Sequence, residues 1–175
     1  FAQDDSRNTM KRALIIIALV AVVGLPFIFR PKQSADHGAE EALVIITPHN
    51  EALRHEYTRG FREWYRTRTG KTVAIDWRVI GGTSEITRFL QSEYVSSFRN
   101  YWTRKLGRAW STEVQAAFHN PDLAPDKTPE DDTMEMAARR AFLESNVSCG
   151  IDVFFGGGSF DFIRQANAGR LVDSG

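Results

Sequence analysis

The sequence predicts an α/β fold: a parallel sheet with flanking helices, carrying a helical insertion. Three observations lead there. Three times after residue 41, an apolar, strand-like run breaks into small or turn-forming residues and then becomes an amphipathic helix. The runs are residues 42–46 into Thr47-Pro48-His49-Asn50, 72–80 into Gly81-Gly82-Thr83-Ser84, and 151–155 into Gly156-Gly157-Gly158-Ser159. Second, a β-α-β-α-β order of this kind implies parallel strands joined by right-handed crossovers. Third, residues 94–150 are far more than one crossover requires, so a helical block is inserted before the last strand.

Each element has its own signal. Ala42-Leu43-Val44-Ile45-Ile46 is continuously apolar, the mark of a strand covered on both faces. Asn50 can cap the helix that follows, whose inward stripe would be Leu53, Tyr57, Phe61 and Trp64, ended by Thr69-Gly70. In the second strand Val73, Ile75, Trp77 and Val79 share one face. Thr83 or Ser84 then caps a helix with Ile86, Phe89 and Leu90 inward, and Glu85 lies in its first turn, where the helix dipole favours an acid.

In the inserted block Trp102, Leu106, Trp110, Val114 and Phe118 step by four. This predicts one long amphipathic helix, stopped by His119-Asn120-Pro121. The stripe is expected to be core packing, with a partner-docking surface as the alternative. An acidic, proline-bearing loop over 122–132 follows, and Thr128-Pro129-Glu130-Asp131 is a good start for a helix through Leu143. Residues 160–171 form the last helix, with Phe162, Ile163 and Ala166 covering the third strand. Three strands would leave a raw sheet edge, so the chain is expected to be the N-terminal part of a longer protein.

The 175 residues carry 22 basic and 22 acidic side chains, so nothing suggests a nucleic-acid surface, which needs a basic excess on one face. The single cysteine, Cys149, excludes an internal disulfide and a cysteine-based metal cluster; it reads as a small buried hydrophobe. Met10-Lys11-Arg12 precedes an uninterrupted apolar run, residues 13–29, closed by Arg30-Pro31-Lys32. This is an export signal, either a cleaved signal peptide or an uncleaved anchor within 10–30. Gln33-Ser34-Ala35 and His37-Gly38-Ala39 are poor cleavage sites, which favours the anchor. Residues 1–9 read as a non-native or disordered leader and 31–41 as a tether. The domain at 42–175 is then expected in the periplasm or on the outer face of the cytoplasmic membrane.

The three loops carry the chemistry. Strand-to-helix junctions of a parallel sheet share one edge, where open α/β sheets bind ligands. Gly156, Gly157 and Gly158 let backbone amides approach an anion closely, and the helix end after Ser159 adds partial positive charge. Gly82, Thr83 and Ser84 offer the same donors plus two hydroxyls. His49 can be a metal ligand, a donor to an anion or a solvated turn residue, and Asn50 lies beside it. No Gly-Lys-Ser/Thr phosphate loop, GxGxxG, HExxH or nucleophile elbow is present. Asp152, at the far end of the third strand, reads as structural.

Three segments carry a resemblance. Val44-Ile45-Ile46-Thr47-Pro48-His49-Asn50-Glu51-Ala52 resembles the opening strand and helix of extracellular solute-binding proteins of ABC importers, in the group that includes ferric-iron-binding proteins. Trp64, Thr69-Gly70 and Val73 continue it. Ile151-Asp152-Val153-Phe154-Phe155-Gly156-Gly157-Gly158, with 160–171 after it, is similar to the family's third strand and helix. The likeness spans 42–91 and 150–173 and fails over the insertion.

It implies the opening half of the first lobe of a two-lobe periplasmic-binding fold, docking onto a membrane permease driven by a cytoplasmic ATPase. It also implies His49 as a metal ligand beside an acid just past the third strand, where this chain has Gly156-Gly157-Gly158. The usual iron set is therefore incomplete, and a small anion or a metal–anion complex fits the glycines better. No catalysis and no cofactor are expected, Fe3+ entering only as cargo. The alternatives are an extracytoplasmic sensor domain and a phosphate-cradle enzyme.

Overall fold

The computed structural model describes residues 38–123 and 132–172. The leader, the apolar segment 13–29 and the helix start at 128–131 lie outside them. Among the described residues no helix is long and apolar enough to cross a membrane.

Strand β1 (Glu41–Ile46) is the centre of a three-stranded parallel sheet, with β2 (Val73–Arg78) on one side and β3 (Val153–Phe154) on the other. Ile45 pairs with Trp77 and with Val153. The continuous apolar run is explained by this central place, with Ile45 and Ile46 buried. The ladder of β3 extends one residue at each end, where Asp152 N donates to Val44 O and Phe155 N to Ile46 O, both at 2.9 Å. Asp152 adds a side-chain rung, its carboxylate accepting from Val44 N at 2.7 Å. Its role is structural, as its position suggested. β2 stops at Arg78, because Thr47 N takes Arg78 O at 3.0 Å and β1 offers nothing beyond. Val79 and Ile80, predicted as strand, stand exposed.

Helix α1 (Glu51–Thr69) begins where Asn50 Oδ1 accepts from Leu53 N at 3.0 Å and ends at Gly70, whose φ of 75° suits glycine. Its stripe is not buried as predicted: Leu53, Tyr57 and Trp64 are 42%, 51% and 53% exposed. The helix meets the sheet through edges of side chains instead. Trp77 Nε1 donates to Thr58 Oγ1 at 2.8 Å, Tyr57 lies edge-on to Phe155, and Tyr65 Oη donates to the Glu41 carboxylate. Lys71 Nζ holds the same carboxylate at 2.5 Å. These bonds, that of Lys71 first, hold Glu41 below the usual carboxylate range. A face resting on a narrow sheet leaves its outer rims in water.

Helix α2 (Thr83–Asn100) starts one residue earlier than predicted. Gly82 is its N-cap and makes no side-chain cap bond, so neither Thr83 nor Ser84 caps it. Ile86, Thr87, Leu90, Tyr94 and Phe98 form its buried face. The helix passes straight through the expected start of the insertion, into a π-helical turn, Tyr101–Lys105. The predicted long helix over 102–118 does not form. Gly107, at a φ of 65°, breaks the chain, and a short α3 (Thr112–Ala117) restarts on a Ser111 cap. The π turn shifts the phase, so Leu106 turns outward while Trp102, Val114 and Phe118 are buried.

Helix α4 (Met134–Leu143) runs as expected, with Thr133 as its cap. Phe98, Trp102, Val114, Phe118 and Phe142 form one aromatic core between α2, α3 and α4. Trp102, Trp110, Val114 and Phe118 of the stripe therefore pack inward, and Leu106 does not. Ile46, Ile86 and Leu90 form a second core under the sheet, and half-buried Cys149 touches both. Helix α5 (Ser159–Asn167) turns differently from expectation: Ile163 and Ala166 are exposed, while Phe162 is half-buried and Gln165 and the C-cap Ala168 are buried. Starting at Ser159 puts the inward residues at three-residue steps.

One residue joins these helices. The Arg139 guanidinium, on α4 and 5% exposed, donates to the carbonyls of Phe118 (3.2 Å), Ala168 (2.7 Å) and Asn167 (3.0 Å). Those carbonyls lie at the C-terminal ends of α3 and α5, where a cation is favoured.

Candidate binding edge at the switch point

The strands are parallel, so the loops after β1, β2 and β3 share one sheet edge. β2 and β3 flank β1 on opposite sides. α1 meets the Trp77 and Phe155 face of the sheet whereas α5 meets Phe154 through Phe162, so the helices after β1 and β3 lie on opposite faces. That divergence is a topological switch point, the crevice where open α/β sheets take ligands.

The crevice brings His49 onto the third loop. Buried Thr47 anchors the first loop, its Oγ1 accepting from His49 N at 3.2 Å. The half-buried His49 ring lies edge-on to Phe155, centroids 5.0 Å apart. Its Nε2 is so close to Gly156 that a Cβ there would sit 2.4 Å away. Gly156 also has a φ of +96°. Two demands, positive φ and ring contact, make glycine necessary at this position. Phe155 is held from behind by Tyr57 and Trp77, centroids 4.8 and 6.3 Å away.

Gly157 packs against the Phe154 ring, where an added Cβ would come within 3.0 Å. Gly158 is already engaged: its amide donates to Asp161 Oδ2 at 3.0 Å. The acid three residues on thus reaches back to the N-cap, as in a capping box. At the second loop the Glu85 carboxylate lies close without such a bond, its Oε2 3.2 Å from where a Gly82 Cβ would be. Asp161 was missed in the sequence, although its signal was present: an acid at the third position of a helix opened by glycine. Each glycine loop therefore faces a carboxylate of its own helix.

The other expected residues fall around this rim. Asn50 is exposed, and its Oδ1 is committed to capping α1. Thr83 is half-buried, and Ser84 and Ser159 are exposed in the first turns of α2 and α5. Among the described residues no group of three or more His, Cys, Asp and Glu side chains could hold a metal ion. The rim is mixed in charge, offering amides, hydroxyls and an imidazole beside Glu85 and Asp161.

Comparisons with models of known families, with curated proteins and with solved structures find no match in any of the three.

Proposed function

We propose that this chain is part of the first lobe of an extracytoplasmic solute-binding subunit of an ABC transporter. It would capture a small metal–anion complex and deliver it to permease subunits, held at the membrane through residues 13–29. The observation that carries the reading is the switch-point crevice, where the His49 ring rests on Gly156. Support for the family comes from the motifs at 44–52 and 151–158, and the second lobe of a two-lobe fold would close over the same edge.

The carboxylates refine the cargo. A bare anion would meet Asp161 at the very amide the triple glycine was expected to offer, a repulsion of like charges. A metal–anion complex satisfies both sets. Its anionic part would face the glycine amides of Gly82, Gly156 and Gly157 with Thr83, Ser84 and Ser159. Its cationic part would face the His49 imidazole beside Gly156, with the carboxylates of Asp161 and Glu85 balancing its charge from the rim rather than ligating it. The cation brings most of its own ligands. The reading is binding without catalysis; the hydrolytic alternative would use His49 as base to one of those hydroxyls as nucleophile.

The test is a titration of the full chain with ferric citrate, citrate alone and inorganic phosphate, followed by tryptophan fluorescence and thermal shift. Ferric citrate is expected to perturb Trp77, next to Phe155, and to stabilise the protein by about 2.7 kcal/mol at a hundredfold excess over Kd. Citrate and phosphate are expected to bind at least tenfold more weakly, and His49→Ala to weaken ferric citrate by a similar factor. Failure of all three ions to bind, together with turnover of a phosphoester, would sink the transport reading.

A further inference from the structure

A second concavity lies along the exposed face of α5. It is a cleft of about 420 Å³, walled by Pro121, Phe160 and Ile163 and carrying His119, Arg164 and Arg170. None of the loop residues described above lines it. Its volume is that of a small-molecule site.

Its polar groups are unusual in what they lack. The Arg170 guanidinium is fixed by neutral groups: Nη1 donates to Gln165 Oε1 at 3.0 Å, and the cation lies 5.6 Å from the centre of the Tyr94 ring. Tyr94 Oη in turn donates to Arg170 O at 3.0 Å, which holds the backbone. Arg139, behind it, is bound only by carbonyls. Among the described residues no carboxylate pairs with Arg139, Arg164 or Arg170. Arg170 Nε and His119 Nδ1 are buried and have no hydrogen-bond partner there. Arg164 is exposed and Arg170 half-buried, but the two donor atoms are buried, and buried donors are ordinarily satisfied.

We propose that this cleft is a second binding site, for a small organic oxyanion carried on an apolar body. The anion would face Arg170 and Arg164, with His119 beside them, and the apolar body would lie on Phe160, Ile163 and Pro121. Phe160 is 74% and Ile163 59% exposed, so the apolar wall is open to a ligand. Burial, then the charges of Arg170 and Arg139, push the His119 imidazole below its usual pKa, as expected in a cationic cluster without its counterion. A planar guanidinium held in place suits a two-oxygen anion such as a carboxylate. This site is independent of the switch-point reading.

The test is calorimetric titration of the full chain with 3-phenylpropionate, with 3-phenylpropan-1-ol as its uncharged counterpart. The carboxylate is expected to bind one to one, and the alcohol at least tenfold more weakly. Arg170→Gln disturbs the Gln165 bond, so exposed Arg164→Gln carries the argument, with an expected loss of about tenfold and an unchanged Tm of the free protein. Phe160→Ala is expected to weaken the carboxylate, and His49→Ala to leave it untouched. Absence of binding, equal binding of the alcohol, or binding unaffected by both Arg164→Gln and Phe160→Ala would overturn the proposal. Loss of binding in His49→Ala alone would move the anion to the switch point, overturning this site while leaving the proposed function standing.

Discussion

Phe98→Ala is expected to lower stability by about 3–5 kcal/mol, the range for truncating a fully buried phenylalanine. The ring is wholly inaccessible and lies at the centre of the aromatic core. It stacks on Phe118 at 4.6 Å and meets Phe142 at 5.6 Å and Trp102 at 5.7 Å. These partners come from α3's end, α4 and the π turn, so the cavity would open where four segments meet. The same helix carries Ile86 and Leu90 into the core under the sheet. Loosening it therefore reaches the sheet. Thermal melting followed by circular dichroism should show a Tm lower by roughly 10–20 °C. A loss below about 1 kcal/mol would contradict the placing of Phe98 at the centre of the aromatic core.

Arg139→Met is expected to cost roughly 3 kcal/mol by a different route. Methionine keeps the apolar stem of the side chain but leaves three carbonyls, of Phe118, Asn167 and Ala168, without their donor. Each orphaned buried acceptor costs about 1–3 kcal/mol, partly offset because a guanidinium no longer has to be desolvated. The effect should be local as well as global. Hydrogen exchange in α5 should rise more than in β1, because Arg139 is what fastens the end of α5 to α4. Arg139→Lys should recover only part of the loss, since an ammonium cannot span three carbonyls in a fixed fork. An unfolding free energy from urea titration within about 0.5 kcal/mol of the native protein's would contradict this role.

The sheet was legible because its signals are local. A continuous apolar run and a turn-forming break appear in consecutive residues, so β1 and the three loops could be read directly, as could Asn50 and the helix Met134–Leu143. What failed depends on partners. Leu53, Tyr57 and Trp64 have helical spacing, but spacing cannot say how wide a surface will cover them, and a narrow sheet leaves them half in water. The four-residue steps from Trp102 to Phe118 looked like one helix. A π turn and Gly107 changed the phase between rings that nonetheless meet in one core.

The site shows the same division. That Gly156-Gly157-Gly158 and His49 share an edge follows from strand order alone. That Asp161 already occupies the Gly158 amide depends on a side chain reaching back along its own helix. Arg139 gave no signal, since an arginine in an amphipathic helix is ordinarily solvated and only the tertiary fold gathers three helix-end carbonyls around it.

The switch point is best tested by the amide resonances of the full chain, labelled with nitrogen-15, during titration with ferric citrate. Saturable shifts are predicted at Gly82, Gly156 and Gly157 and at the His49 imidazole, with the Gly158 amide, held by Asp161, moving least. Shifts confined to residues elsewhere, or none at these four positions at saturation, would contradict the assignment of this edge as the ligand site.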